Sequence, residues 1–297
     1  MRPLRALVIY IAVVFVGGAL LAPWLYWLAQ SVAASLPKLA AEPFHRYVNR
    51  SLLVLALAGL WPLLKALGAR TPADLGLVQP SGQGKRLAAG LAFGFLSLAG
   101  VAGVALLAGA RVLPEEFAVG KLAGKLAGAV ATAAVVATLE EILFRGGMFG
   151  GLKRVLDWRW AAILSSAVYA LVHFLARTQH EGEVRWWSGL ELLPQMLAGF
   201  GDWHLLVPGF FNLTLAGALL ALAYQRTGNL YCSIGIHAGW IFWLKSYGNF
   251  SVPVAGANVW LWGSTKMIDG WFAAIVLSVM LLALFKLFTR KPIDSAA

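Results

Sequence analysis

Long apolar runs dominate the chain, and charged residues, Gly or Pro separate one run from the next. A helix needs about 20 mainly apolar residues to cross a hydrocarbon core of about 30 Å, so runs of that length predict membrane-spanning helices. The fifth and seventh runs are shorter than the others. The predicted spans cover residues 6–29, 48–67, 87–110, 122–144, 158–175, 205–224, 230–244 and 271–288.

This pattern predicts an all-α polytopic membrane protein with about eight transmembrane helices. The apolar run that follows Arg5 is longer than the roughly 7–15 apolar residues of a cleaved signal peptide, so we expect it to stay as a membrane anchor. An even number of spans places both termini on one side of the membrane. The loops on that side carry the larger share of the 24 Lys and Arg residues, which predicts cytoplasmic termini, in a bacterial inner membrane.

The composition excludes a soluble protein. Hydrophobic residues make up 60% of the chain and charged residues 12%, against about 25% charged residues in soluble domains. The net charge of +11 is scattered between the apolar runs, so we interpret it as membrane-flanking charge and expect no nucleic-acid partner. The single cysteine, Cys232, cannot form an intramolecular disulfide or build a thiolate metal site.

The spans form one continuous series. No repeat of domain size and no long linker interrupts them in the sequence, so we expect a single integral membrane domain over 1–297. Small residues recur every four positions in 120–128 and in 146–151. This spacing is typical of membrane helices whose backbones approach closely, so we assign these glycines to packing.

Two adjacent glutamates lie near the end of the fourth span. A carboxylate in hydrocarbon costs at least about 2.5–3.5 kcal/mol, so an ionisable group there needs a partner or a function. On a helix, Glu141 and Arg145 are i,i+4 neighbours that can pair, whereas Glu140 is turned by about 100° from Glu141. The spacing predicts two carboxylates with different roles, with Glu141 held by Arg145 and Glu140 able to accept a proton.

Two later spans each carry a histidine. Tyr169 and His173 are i,i+4 neighbours in the fifth span, and His237 lies in the seventh. A lone histidine in a span is more often a structural hydrogen-bonding group than a catalytic one. Together with Glu140, however, the two histidines predict a polar intramembrane cavity that is surrounded by the spans, because each group would be unsatisfied in lipid.

These residues resemble the motifs of one protease family, the CAAX-protease and bacteriocin-processing (CPBP or ABI) family of intramembrane proteases, which includes the type II CAAX prenyl endopeptidases. Its first motif, Glu-Glu-x-x-x-Arg, is matched by Glu140, Glu141 and Arg145. Its second, Phe-x-x-x-His, is matched by Tyr169 and His173 with one aromatic residue exchanged for another.

The third family motif, His-x-x-x-Asn or Asp, is matched only in part. His237 stands at its first position, but Ile241 stands where the family often has Asn or Asp. The resemblance extends over about 120–243, and we expect a family-like catalytic core at 120–244. Because the isoleucine side chain has no hydrogen-bond donor, Asn212, Asn249 or a backbone amide would have to supply one, and Asn at position 241 is expected to restore it.

The resemblance implies an intramembrane endopeptidase that cleaves membrane-associated peptides or proteins in the lipid bilayer. Glu140 and His173 would activate a water molecule, and His237 would stabilise the oxyanion. The remaining motif residues would orient the site: Glu141, Arg145 and Tyr169.

The sequence does not decide whether the proposed reaction uses a metal ion. Glu140, His173 and His237 are the groups that would hold zinc, but none of their spacings is the HExxH spacing that places ligands on one helical face. We therefore expect no cofactor, with zinc as the alternative.

Two other functions fit the same pattern of charges. A proton-coupled transporter would use the Glu and His residues as a relay, although transporters usually show repeated halves and this chain shows none. A non-catalytic relative of the family, acting in bacteriocin immunity or as a scaffold, is favoured by Ile241. The sequence leaves the substrate open among a prenylated peptide, a bacteriocin leader and a membrane-anchored sorting signal.

Overall fold

The computed structural model describes residues 2–114, 119–176, 178–264 and 266–289. It is built almost entirely of helices, as predicted. In chain order the helices are α1 (Arg2–Ala12), α2 (Gly18–Ser31), α3 (Pro37–Ala40), α4 (Phe44–Ala66), α5 (Gly84–Leu107), α6 (Val119–Glu141), α7 (Gly150–Leu152), α8 (Trp158–Val172), α9 (Ser188–Met196), α10 (Trp203–Thr227), α11 (Tyr231–Phe250), α12 (Val259–Trp262) and α13 (Trp271–Thr289).

Short irregular elements connect or interrupt these helices. Residues Val13–Gly17 and Ile142–Phe149 are π-helical, and Pro72–Leu75 and Leu197–Phe200 form 3₁₀ turns. Two short antiparallel strands pair with each other, β1 (Arg111–Val112) and β2 (Val252–Pro253).

Within the residues that the structure describes, five helical segments are long and apolar enough to cross a membrane: Arg5–Ser31, Phe44–Ala66, Gly84–Leu107, Leu122–Leu152 and Trp203–Thr227. The apolar helices Trp158–Val172 and Trp271–Leu287 are shorter. The remaining predicted span, 230–244, overlaps α11 over residues 231–244. The protein is therefore an all-α, multi-pass integral membrane protein, and every predicted span corresponds to a helix.

The chain forms two compact units, of which the first contains residues 1–70 and 173–202. Helices α2 and α4 approach closely in this unit, since a Cβ at Gly18 would lie 3.0 Å from the backbone nitrogen of Leu52. Gly189 of α9 lies directly against the carbonyl group of Ala19. The apolar core of this unit is formed by Ala22, Ala29, Phe44, Tyr47, Val48, Leu192 and Met196.

The second unit contains residues 71–172 and 203–297, and its helices α5 and α11 lie almost backbone to backbone. Glycines on both helices make this possible: a Cβ at Gly94 would overlap the carbonyl group of Ile236, and one at Gly239 would lie 2.5 Å from the backbone nitrogen of Phe95. Small residues allow such contacts between membrane helices. This contact fixes the position of α11, which carries His237.

Helices α8 and α10 pack closely in the same unit. A Cβ at Gly217 would lie 2.6 Å from that of Ser166, so this serine is a packing residue. Further along α10, Asn212 donates to the carbonyl oxygens of Ile268 (2.7 Å) and Gly270 (2.8 Å) and ties α10 to the loop before α13.

Candidate active site

The end of α6 carries a buried ion pair. The Oε1 atom of Glu141 lies 2.9 Å from Nη1 of Arg145, and the side chains are 0% and 2% exposed. The i,i+4 pair that the spacing predicts is therefore present. Arg145 also donates from Nη2 to the carbonyl oxygen of Gly217 at 3.4 Å, which joins the end of α6 to α10.

The helix changes form immediately after the two glutamates. Residues Ile142–Phe149 form a π-helix, in which Gly146 lies so close to Leu75 that a Cβ would be 2.8 Å from the Leu75 carbonyl oxygen. π-Helical turns are rare and occur frequently at functional sites. The sequence predicts a regular helix here, and nothing in the apolar pattern of 142–149 distinguishes a π-helix from an α-helix.

His237 of α11 binds the same carboxylate that holds Arg145. Its Nδ1 lies 2.8 Å from Oε1 of Glu141, and the imidazole is buried. Since a carboxylate accepts, Nδ1 carries the proton, and the other ring nitrogen, Nε2, accepts hydrogen bonds whenever the ring is neutral. The spacing along the sequence predicts the contact of Glu141 with Arg145 but not its bond to His237.

Nε2 of His237 points towards two further groups. The Oε2 atom of Glu140 lies 3.6 Å from it, and the hydroxyl oxygen of Tyr169 lies 3.3 Å from it. The Glu140 side chain is 26% exposed, whereas that of Glu141 is fully buried. The two adjacent carboxylates therefore occupy different environments, and Glu140 is the more exposed of the two.

The ring of Tyr169 is held on two sides. The guanidinium carbon of Arg145 lies 4.6 Å from the centre of the ring, and Phe144 packs edge-to-face against it at 5.1 Å. A guanidinium over an aromatic face is attracted by the negative face of the ring. These contacts fix the direction of the Tyr169 hydroxyl towards His237.

His173 lies outside the helix that was predicted to carry it. Helix α8 ends at Val172, and His173 is an exposed turn residue of the first compact unit, so the predicted span 158–175 is too long. The physical reason is a tertiary contact: the backbone N–H of Ala176 donates to the carbonyl oxygen of Met196 at 2.8 Å, so the chain pairs with the end of α9 instead of continuing the helix. The expected role of His173 beside Glu140 stays a prediction.

Ile241 lies one helical turn after His237, in an apolar cluster that includes Ala137, Phe149 and Leu230. The surroundings of this position are therefore apolar, which disfavours a polar Asn side chain there. The two asparagines that could replace the missing donor have other partners: Asn212 binds the loop before α13, and Oδ1 of Asn249 accepts from Nζ of Lys125 at 2.9 Å.

Zinc would need at least three protein ligands in a catalytic site. Within residues 2–114, 119–176, 178–264 and 266–289, no three His, Cys, Asp or Glu side chains are grouped to hold a metal ion. Nδ1 of His237 is directed at Glu141, so the ring offers a metal its Nε2 atom alone. The donors described do not form a zinc site, and the steps proposed below use none.

Residues 122–243 match one protein-family model, described as type II CAAX prenyl endopeptidase Rce1-like. Over this range the match agrees with the resemblance that the motifs indicate. The matched range runs from α6 into α11 and includes the carboxylates, Tyr169 and His237. Comparison with curated proteins finds no match, and comparison with solved structures finds none either.

Proposed function

Because residues 122–243 match the model of a family of CAAX-type proteases, the type II CAAX prenyl endopeptidase Rce1-like family, we propose that this protein is an intramembrane endopeptidase that uses Glu140 to activate water. The observation that carries the proposal is the buried series of contacts from Arg145 through Glu141 to His237, which ends beside the partly exposed Glu140. A partly exposed carboxylate next to a fixed imidazole is suited to general-base chemistry.

In the proposed reaction, Glu140 accepts a proton from a water molecule, and the resulting hydroxide attacks the carbonyl carbon of the scissile peptide bond. The carbonyl oxygen becomes an oxyanion in a tetrahedral intermediate. Glu140 then returns the proton to the amide nitrogen as the C–N bond breaks, which releases a carboxyl group and an amine. The family resemblance assigns His173 to the same step as Glu140.

Glu141 and Arg145 act on His237 rather than on the substrate. The carboxylate fixes which ring nitrogen carries the proton, and the guanidinium compensates the charge of a carboxylate that is fully buried. His237 then offers Nε2 to the reaction, as an acceptor when the ring is neutral and as a donor to the oxyanion when the ring is protonated.

The substrate we propose is a membrane-associated peptide or protein, and the family description points to a C-terminal segment next to a prenylated cysteine. A multi-pass protein with a site at the end of α6 meets such a lipid-anchored segment within the bilayer. We further propose that the protein lies in a bacterial inner membrane with cytoplasmic termini. The distribution of Lys and Arg supports the orientation of the termini.

The decisive variant is Glu140→Gln, because it keeps the shape of the side chain and removes its basicity. The purified protein in detergent is mixed with a quenched fluorescent peptide that ends in a prenylated cysteine followed by three residues. We expect wild type to cleave this peptide and the variant to lose at least about 10²-fold in kcat, the contribution of a general base. Glu183→Gln, an exposed glutamate, is the matched control and should cleave like wild type.

Two results would contradict the proposal. Cleavage by Glu140→Gln at the wild-type rate would show that another group is the base. Absence of cleavage by wild type, with prenylated, unprenylated and leader-type peptides alike, would overturn the protease function and favour a non-catalytic role for the fold.

A further inference from the structure

The candidate site contains many acceptors and few donors that could reach a substrate oxygen. Glu140 and Glu141 accept, and Arg145 is directed at Glu141 and at the Gly217 carbonyl group. Ile241, one turn after His237, has no polar atom. A tetrahedral intermediate nevertheless requires a donor near its oxyanion, since such donors are usually a large part of catalysis.

The Tyr169 hydroxyl is a donor in the right place. It lies 3.3 Å from Nε2 of His237, and Glu140 lies 3.6 Å from the same nitrogen, so the three groups surround one small region. The residue is buried, and its ring is held between Arg145 and Phe144, which limits the positions its oxygen can adopt. A fixed donor needs little reorganisation when charge develops in the reaction.

We propose that the Tyr169 hydroxyl donates a hydrogen bond to the oxyanion of the tetrahedral intermediate, and so supplies the donor that the Ile241 side chain lacks. This inference rests on the proposed peptidase function and extends it to a residue that was expected only to orient the site. Tyr169 is then a catalytic residue, because it touches the reacting oxygen.

His237 and Tyr169 differ in when each can donate a hydrogen bond to the oxyanion. His237 can donate from Nε2 only when its ring carries a second proton, because Nδ1 is engaged by Glu141. A phenol has its O–H proton at neutral pH whatever the state of the histidine. In the resting site the hydroxyl donates to Nε2, and in the intermediate it donates to the new oxyanion beside it. No proton leaves the tyrosine in this step.

Tyr169→Phe tests the inference, because it removes the hydroxyl and keeps the ring that packs against Arg145 and Phe144. We expect kcat for the quenched prenylated peptide to fall on the order of 10²-fold, the effect of losing one oxyanion donor, with KM nearly unchanged. Tyr247→Phe is the matched control: it removes a buried tyrosine hydroxyl from α11 without touching the site and should leave kcat near wild type.

A second measurement separates catalysis from packing. A peptidyl difluoroketone binds as a tetrahedral hydrate and imitates the intermediate, whereas an uncleaved peptide amide imitates the ground state. Tyr169→Phe should weaken binding of the hydrate by a factor similar to the loss in kcat and leave binding of the amide unchanged. A purely structural role would weaken both ligands together.

The results of these experiments test the role of Tyr169 separately from the proposed peptidase function. If wild type is active, Glu140→Gln is inactive and Tyr169→Phe equals wild type in kcat and in hydrate binding, the inference is wrong and the peptidase function stands. Equal losses for the hydrate and the amide would also overturn it, in favour of packing. If wild type does not cleave at all, the proposed function fails, and the inference fails with it.

Discussion

A single carboxylate oxygen organises the candidate site. Oε1 of Glu141 lies 2.9 Å from the Arg145 guanidinium and 2.8 Å from the His237 imidazole, in fully buried surroundings. The first contact could be predicted, since four positions separate the two residues on one helix. The second joins residues 96 positions apart, and it depends on how α6 and α11 pack, which the apolar pattern does not specify.

Removing Arg145 should destabilise the protein as well as inactivate it. Arg145→Ala leaves Glu141 as a buried carboxylate without its guanidinium, and breaking one side of a buried pair typically costs about 3–5 kcal/mol. We expect a clearly lower thermal unfolding temperature in detergent, measured by tryptophan fluorescence. Arg86→Ala, at an exposed arginine, is the control and should unfold like wild type. Equal stability of both variants would mean that the guanidinium is not buried against Glu141.

Ile241→Asn tests whether a hydrogen-bond donor at position 241 can take part in the reaction. The family pattern predicts that it restores a donor, but the side chain is 7% exposed and lies among apolar residues of α6 and α8. An unsatisfied buried amide costs about 1–3 kcal/mol, so we expect lower stability and no gain in kcat. Ile241→Val is the control for loss of volume alone. A rise in kcat for Ile241→Asn, with stability retained, would show that the amide reaches the oxyanion.

At the scale of the elements, periodicity and length predicted where the helices lie but not how they end or contact one another. The run 158–175 is apolar to its end, yet α8 stops at Val172 because the next residues bond to the end of α9. The π-helical turn after Glu141 is likewise absent from the apolar pattern, and it occurs where Gly146 closely approaches Leu75. Both deviations lie beside candidate site residues, where tertiary contacts override the local pattern.

The contact between α5 and α11 should be essential for activity although it contains no catalytic group. A methyl group at Gly94 would overlap the Ile236 carbonyl group, so Gly94→Ala must push α11, and His237 with it, away from α5. Overpacking of this kind typically costs about 1–3 kcal/mol. We expect a lower unfolding temperature and a loss of peptide cleavage.

Gly103→Ala is the matched control for this effect, because it makes the same change on the same helix where a Cβ meets no atom within 4 Å. Ala has a higher helix propensity than Gly by about 1 kcal/mol, so this variant should be as stable as wild type or more stable. Full activity in Gly94→Ala would show that α11 does not depend on this contact for its position.

At the scale of the whole molecule, the order of the predicted spans and the orientation of the termini together determine on which side of the membrane the candidate site lies. The candidate residues Glu140 and Glu141 follow most of the fourth predicted span, so a chain with cytoplasmic termini places them near the cytoplasmic end of that span. The number and order of apolar segments could be read from the sequence. Their orientation depends on a bias in loop charge that is modest here, so it needs a direct measurement.

Single-cysteine labelling tests this orientation. Cys232 is buried in α11, so replacing it by serine provides a background without cysteine, into which Ser81→Cys or Ala255→Cys is introduced at exposed loop positions. Cytoplasmic termini place residue 81 inside and residue 255 outside. We expect a membrane-impermeant maleimide to label Ala255→Cys in cells whose inner membrane is intact, and Ser81→Cys only after that membrane is opened. The reverse pattern would place the termini, and the candidate site with them, near the opposite face, where a substrate with a cytoplasmic lipid anchor could not reach Glu140.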